Sequence, residues 1–365
     1  MVSSGDNTMK VLLLARYDRQ GASSRLRTMQ YLPYLADAGL EVRVESLFDA
    51  NYLEQMYAGR RSVGILSKSL LRRMRHIRGQ ADVVWLEKEA LPWFPWAMEH
   101  LLWPRNIPIV TDYDDAIFHR YDQSRHRVVR SILGKKIDKV MRASAVVVAG
   151  NQYLADRAKS AGAPRVEIVP TVVDMEQYHR AVERRNDERV RVGWIGTPET
   201  WASFAEKFSS WIAEVARQES VIFRVIGAEA TPRRDGAFEF LPWSEEAEIS
   251  LIKGMDIGLM PLPDTPWTRG KCGYKLIQYM ACSLPVIASP VGVNRDIVEH
   301  GVNGFLATSE DEWRASLLAL IRDPKLRLRM GEAGLKKVEK SYSLQTQGPR
   351  MAQLLRCIAE NNVIG

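Results

Sequence analysis

Between Arg269 and Gln278 the chain places Lys271, Lys275 and Gln278 at positions i, i+4 and i+7. That spacing predicts one side of a helix start, where backbone N–H groups lack partners and the helix dipole is positive. Cations and a neutral amide on such a face suit a doubly charged diphosphate, with Arg269 adding to the charge. The opposite side, Leu276, Ile277, Met280 and Leu284, reads as core. The stretch is therefore expected to have one wet face and one dry face. The plain alternative is a surface helix whose lysines are solvated.

Three more clusters could do chemistry. Asp112, Asp114 and Asp115 crowd three carboxylates into four residues, a repulsive arrangement that needs a cause. A metal-binding acidic pair is one reading. A hydroxyl-binding role for Asp114 or Asp115 is preferred, because lysines, arginines and helix ends can hold a diphosphate without a metal. Loop capping by the aspartates is the plain alternative. Gly21 to Arg25 follows an apolar strand; Gly21 lets the backbone approach a ligand, and the helix beginning near Ser24 offers N–H donors. Here the plain reading is a turn with Ser23 or Ser24 as N-cap. Gly193 to Thr197 ends another strand, and Gly196 with Thr197 is expected to touch the phosphates.

The elements that must position these residues alternate along the chain. Apolar strand candidates are Lys10–Ala15, Leu40–Leu47, Asp82–Leu86, Pro108–Thr111, Ala145–Ala149 and Val166–Val169. After a polar, charged stretch the series resumes at Val190–Gly196, Val221–Gly227, Phe238–Phe240, Ile257–Met260, Pro285–Ala288 and Phe305–Leu306. A helix is expected from about Ser24 to Ala38, closed by Gly39. Strand–helix alternation of this kind predicts parallel, doubly wound sheets. The 365 residues suit two domains. The expected division is a first domain over 9–172, a linker over 173–189, a second domain over 190–340, and a helical segment over 341–365 that packs back on the first domain. Ligands of such sheets bind beyond the C-terminal strand ends, in the cleft that two facing domains would form.

Composition narrows the classes further. The formal charge is +7, and the cysteines, Cys272, Cys282 and Cys357, have no metal-binding spacing. A reducing compartment is therefore expected. No apolar run approaches the roughly 18–20 residues that span a bilayer. Val11 to Ala15 is too short for a signal-peptide core, and Met1 to Thr8 reads as a disordered tail. Lys68 to Arg78 holds five Lys/Arg residues and His76, and Leu91 to Trp103 holds three tryptophans. Basic amphipathic segments with interfacial tryptophans suit an anionic membrane surface; core tryptophans with solvated arginines are the alternative. Nucleic acid is not expected as a partner, since no stacking platform or RNA-binding motif is visible.

With these residues in view, the chain resembles the retaining glycosyltransferases of family 4, over nearly its whole length. Lys275 to Ser289, with Pro285-Val-Ile-Ala-Ser at its end, is similar to that family's E-A-M-A-x-G-x-P-V-V-A-S segment. Gly292, Gly301-Val-Asn-Gly304 and Val169-Pro-Thr-Val-Val-Asp174 follow its pattern as well. The resemblance implies a GT-B fold, an α/β architecture of two Rossmann-like domains facing each other across a cleft. It also implies transfer from a nucleoside diphosphate sugar with retention of anomeric configuration, with no metal and no other cofactor. On it, Gly21 lies under the donor phosphates and Ser24 and Arg25 face the acceptor, with His119 nearby, while Gln278 takes the ribose-binding position. Two glutamates of the family pattern fall on Gly270 and Gln278 here. An amide still hydrogen-bonds hydroxyls; Gly270 contacts no sugar.

The expectation is a cytoplasmic enzyme of polysaccharide biosynthesis, peripheral at the inner face of the plasma membrane, that extends a lipid-linked or other envelope glycan. The alternatives are a non-catalytic GT-B paralogue serving as a partner subunit, supported by Gly270 and Gln278, and a sugar-nucleotide epimerase, which would need a denser set of catalytic acids and histidines.

Overall fold

The structure is a computed structural model that describes residues 9–57, 63–179, 189–219, 221–228 and 238–363. Residues 1–8 and 180–188, the latter within the expected linker, lie outside that set. The chain forms two compact units. The first comprises the residues up to Val172, Thr265–Cys272, and Leu344 onward; the second comprises Val173–Asp264 and Gly273–Ser343.

The first unit is built on β1 (Met9–Tyr17), β2 (Leu40–Phe48), β3 (Val83–Glu87), β4 (Ile109–Tyr113), β5 (Val146–Ala149) and β6 (Val166–Ile168). They form one parallel sheet in the order β2-β1-β3-β4-β5-β6. Its inner strands β1, β3 and β5 are near-continuous apolar runs because both faces are covered, whereas the edge strand β2 interleaves Glu41, Arg43 and Glu45. Along β1 the side chains alternate: Val11, Leu13 and Ala15 enter one core with Tyr31, Leu35 and Leu355, while Leu12 and Leu14 enter the opposite one with Ile77, Val84 and Trp103. The last helix, Leu344–Val363, covers the first of these faces.

The second unit repeats the plan with β7 (Val190–Ile195), β8 (Val221–Ile226), β9 (Phe238–Leu241), β10 (Ile257–Met260), β11 (Val286–Ala288) and β12 (Gly304–Leu306). Its parallel order is β12-β11-β10-β7-β8-β9. Val192 and Trp194 pack on one face with Trp211, Ile212 and Trp313; Ile195 packs on the other with Leu276, Met280 and Val338. Val173 to His179 belong to this unit, with Met175 and Tyr178 in its core.

One expected helix is broken. Ser24–Ala38 divides into helices Ala22–Arg27 and Leu32–Asp37 around a 3-10 turn at Met29–Tyr31. Thr28 leaves helical geometry at φ −128°, and its hydroxyl donates to the Ser24 carbonyl at 2.7 Å. Pro33 then lacks the N–H that a continuous helix would need.

Candidate functional site

In the first sheet the strand order reverses at β1, which lies between β2 and β3. The loops after β1 and β3 therefore open the crevice where such sheets bind ligands. β3 runs straight into Glu87, Lys88 and Glu89, each at most 5% exposed. These three organise the site, and the sequence reading missed them. The available signal was a charged triplet at the C-terminal end of the otherwise apolar run Val83–Leu86.

Glu87 gathers the loop after β1. It accepts from the Arg16 N–H at 2.8 Å, from the Ser24 hydroxyl at 2.5 Å and from the Ser23 hydroxyl at 3.1 Å. Ser24 also accepts from the Tyr17 N–H at 2.8 Å and is fully buried, so it holds the loop. Gly21 precedes the short helix Ala22–Arg27 as its N-cap. Arg25 is buried as well, and its guanidinium donates to the Arg19 carbonyl at 3.2 Å.

Lys88 meets the acidic loop after β4. Its ammonium lies 2.8 Å from Asp114 and 3.6 Å from Asp115, and 3.1 Å from the Ser23 hydroxyl. Its φ of +65° is the left-handed region, strained for a lysine and typical of residues held for function. The third carboxylate, Asp112, faces away and is ion-paired with the buried Arg27, whose guanidinium also donates to the Val169 carbonyl at 2.7 Å. The repulsion seen in the sequence is thus resolved by two separate cations. Burial raises the cost of ionising Asp114, yet Lys88 and its hydrogen bonds hold its pKa below the usual carboxylate range. Burial and the neighbouring Asp114 push Asp115 the other way, above that range, against the pull of Lys88, Lys271 and Arg120. Two carboxylates held apart in this way can do different work.

Beneath them Lys136 ties Glu89 at 2.7 Å to Glu99 at 3.0 Å, and the Tyr121 hydroxyl donates to Glu89 at 2.9 Å. His119 is engaged at both ring nitrogens, with Asp122 and with the Tyr153 hydroxyl, each at 2.8 Å.

The short segment Thr265–Cys272 completes this unit. Asn151, at the N-cap of helix Gln152–Ala161, donates to the carbonyls of Gly270 and Lys271 at 3.0 Å each. The Cys272 thiol donates to the Asp114 carbonyl at 3.1 Å. Arg269 and Lys271 are thereby fixed beside the acidic loop. Burial pushes the Cys272 thiol up to about 12, which leaves it unreactive.

The second unit has its own switch point, at β7 between β8 and β10. Gly196 follows β7, and a Cβ there would lie 2.5 Å from Trp194 and 2.7 Å from the Lys275 ammonium. Lys275 sits 4.7 Å from the centre of the Trp194 ring. Thr197 caps the long helix Pro198–Gln218 through a reciprocal bond with Thr200. Gly196, Thr197 and Lys275 thus come together at one strand end.

Two expectations about Lys271–Gln278 are corrected. The helix runs only over Tyr274–Ala281, because Gly273 at φ +67° forms its N-cap. Lys271 is therefore off the helix and in the other unit from Lys275. Gln278 is 2% exposed and donates to the Tyr178 hydroxyl at 3.3 Å, so it does not share a wet face. The apolar neighbours set the helix orientation: Leu276, Ile277, Tyr279 and Met280 are all buried.

The basic run also differs from its reading. Arg73 is buried against the Ala15 carbonyl. Arg72 donates to the carbonyls of Ser46 and Leu47 at 3.2 Å, His76 pairs with Glu45, and Arg78 donates to the Leu101 carbonyl at 2.6 Å. Of the three tryptophans, Trp103 is buried, Trp96 stacks at 4.8 Å on His100, and Trp93 is exposed. Among the described residues no group of three or more His, Cys, Asp or Glu side chains has a metal-holding arrangement. Among the same residues no helix is long and apolar enough to cross a membrane.

Two parallel six-stranded sheets with helices on both faces define the GT-B fold class. Residues 189–323 match the family model described as glycosyl transferases group 1. The chain is 34% identical over 118 residues to D-inositol 3-phosphate glycosyltransferase of Thermobispora bispora, covering 32% of this chain and 24% of that one. The chain thus spans about a quarter or less of the length of the curated relatives it matches. Sucrose-phosphate synthase from Thermosynechococcus elongatus superposes with a TM-score of 0.71 at 14% identity, covering 96% of this chain and 99% of that one. Anabaena HepE in complex with UDP-glucose superposes with a TM-score of 0.65 at 17% identity, covering 96% and 100%.

Proposed function

We propose that the protein is a glycosyltransferase that moves a sugar from a nucleoside diphosphate sugar to a hydroxyl of a lipid-linked or other envelope-directed glycan, with retention of anomeric configuration. The observation that carries this reading is the junction of Gly196, Thr197 and Lys275 at the end of β7, inside the region that matches group 1 glycosyl transferases. Gly196 lets the Trp194 ring and the Lys275 ammonium close on the backbone at the end of β7, and that ammonium offsets charge on the departing diphosphate. The similarity to HepE, solved with UDP-glucose, supports a uridine nucleotide as the first donor to try.

Asp114 and Asp115 face the acceptor. Asp114 stays ionised against Lys88, and Asp115 hydrogen-bonds the incoming hydroxyl. In a retaining reaction of this type the departing phosphate takes the acceptor proton, so no protein base is required, and no metal is invoked. Ser24, Arg25 and His119 act on the acceptor side by holding the loops that carry these groups. The protein works at the cytoplasmic face of an anionic membrane.

The test is incubation with a panel of nucleotide sugars and glycan acceptors, reading released nucleotide and the anomeric configuration of the product by NMR. Transfer with retention supports the reading, and inversion removes the retaining mechanism. The rival reading, a catalytically silent partner subunit, is favoured by Gly270; tight nucleotide binding with neither transfer nor donor hydrolysis would support it.

A further inference from the structure

We infer that the exposed face of the helix Arg127–Leu133 is the surface by which the first unit docks on an anionic lipid bilayer. The inference rests on the reading that the acceptor is lipid-linked, and it relocates the membrane contact from the Lys68–Arg78 run.

Val128 and Ile132, one helical turn apart, are 68% and 57% exposed. Around them Arg125, Arg127, Arg130, Lys135 and Lys139 are all exposed, and among the described residues none of the five is in an ion pair with a carboxylate. The neighbouring acids do not neutralise them. Asp122 and Asp138 are both held by Arg157, at 3.1 and 2.6 Å. The inner side of the same segment is anchored, with Leu133, Ile137 and Met141 in the core. The patch is therefore a fixed platform with an apolar pair at its centre and unneutralised cations around it. That is the chemistry of insertion into the headgroup region of an anionic bilayer. The rival surface on the helix Val63–His76 exposes Leu66 and Leu71 beside Lys68 and Arg75, but three of its basic residues, Arg72, Arg73 and His76, are already bound to backbone carbonyls or to Glu45. The connection between β4 and β5 carries both this patch and Asp114 and Asp115, so docking would bring lipid headgroups to the acceptor loop.

The full chain would be sedimented with vesicles of phosphatidylethanolamine containing about one third phosphatidylglycerol, and with vesicles of phosphatidylcholine alone. Binding to the anionic vesicles, released by high salt, is expected. V128E/I132E and R127E/R130E should each bind about tenfold or more weakly, while L66E/L71E binds like the parent. Unchanged melting temperatures would show that these surface changes leave the fold intact. The inference is overturned by V128E/I132E binding normally, by L66E/L71E losing the interaction, by equal binding to both vesicle types, or by capture of RNA with no vesicle binding. Transfer to a water-soluble glycan separates the two claims. Absence of turnover in every variant counts against the transferase reading alone, and normal turnover with undiminished V128E/I132E vesicle binding counts against the docking surface alone.

Discussion

Gly270 is pressed against the backbone of Ala116: a Cβ on Gly270 would lie 2.5 Å from the Ala116 Cβ and 2.8 Å from its amide nitrogen. Its own φ of −79° suits any residue, so the contact is what demands glycine here. This explains physically why the position that carries a glutamate in the resembled family is empty of side chain in this protein. The segment Thr265–Cys272 has been drawn tight onto the first unit, by Asn151 from one side and by the Cys272 thiol from the other.

Gly270→Glu should accordingly destabilise the protein, by about 1–3 kcal/mol or more, and should not raise transfer activity. Thermal melting reads the first outcome and turnover the second. Gly270→Ala should be partly rescued by Ala116→Gly, because the Ala116 backbone contacts remain. Full stability of Gly270→Glu would show that the segment can lift away.

Lys275→Ala should weaken binding of UDP or GDP by about 1.5–3 kcal/mol, the scale of a hydrogen bond to a charged group. Calorimetry measures this directly. The Lys275 ammonium lies over Trp194, so nucleotide binding should also change tryptophan emission in the parent and less so in the variant. Unchanged affinity would place the lysine outside the diphosphate site.

Asp115 is held above the ordinary carboxylate range by burial and by Asp114. As pH falls it should therefore lose its charge before an ordinary aspartate would, and transfer should decline along an acid limb. Asp115→Asn should lower kcat and flatten that limb. Asp114 has the opposite shift, so the stability it contributes is fully present above its unfolded pKa and is lost only as pH falls through its lower folded value. Asp114→Asn leaves Lys88 buried with only the more distant Asp115 and should cost about 3–5 kcal/mol, read by denaturant unfolding.

Asn151→Asp tests the anchor of the basic segment. The carboxylate can still accept from the Leu154 N–H, but it cannot donate to Gly270 and Lys271 and sets negative charge against two carbonyls. A loss of about 1–3 kcal/mol in stability is expected, read by thermal melting. Wild-type stability would mean that the segment Thr265–Cys272 does not depend on this anchor.

The sequence by itself determined the strands. All twelve lie where apolar or alternating runs placed them, because inner parallel strands covered on both faces are apolar, edge strands such as β2 alternate, and turn residues mark their ends. It also placed the candidate residues Gly21, Asp114, Asp115, Gly196 and Thr197 after strands, where the folded sheets have them. Tertiary structure decided which charges meet. Glu87, Lys88 and Glu89 carry no periodic signal, and only the folded sheet brings Lys88 to Asp114 across the gap between β3 and β4. The i, i+4, i+7 pattern at Lys271 failed because the left-handed Gly273 starts the helix only at Tyr274, and the basic run at Lys68–Arg78 is split, Arg73 satisfying a buried carbonyl while Lys68, Arg75 and Arg78 stay exposed. Local periodicity follows from the backbone, whereas the partner of a charge is set by burial and by neighbours distant in the chain.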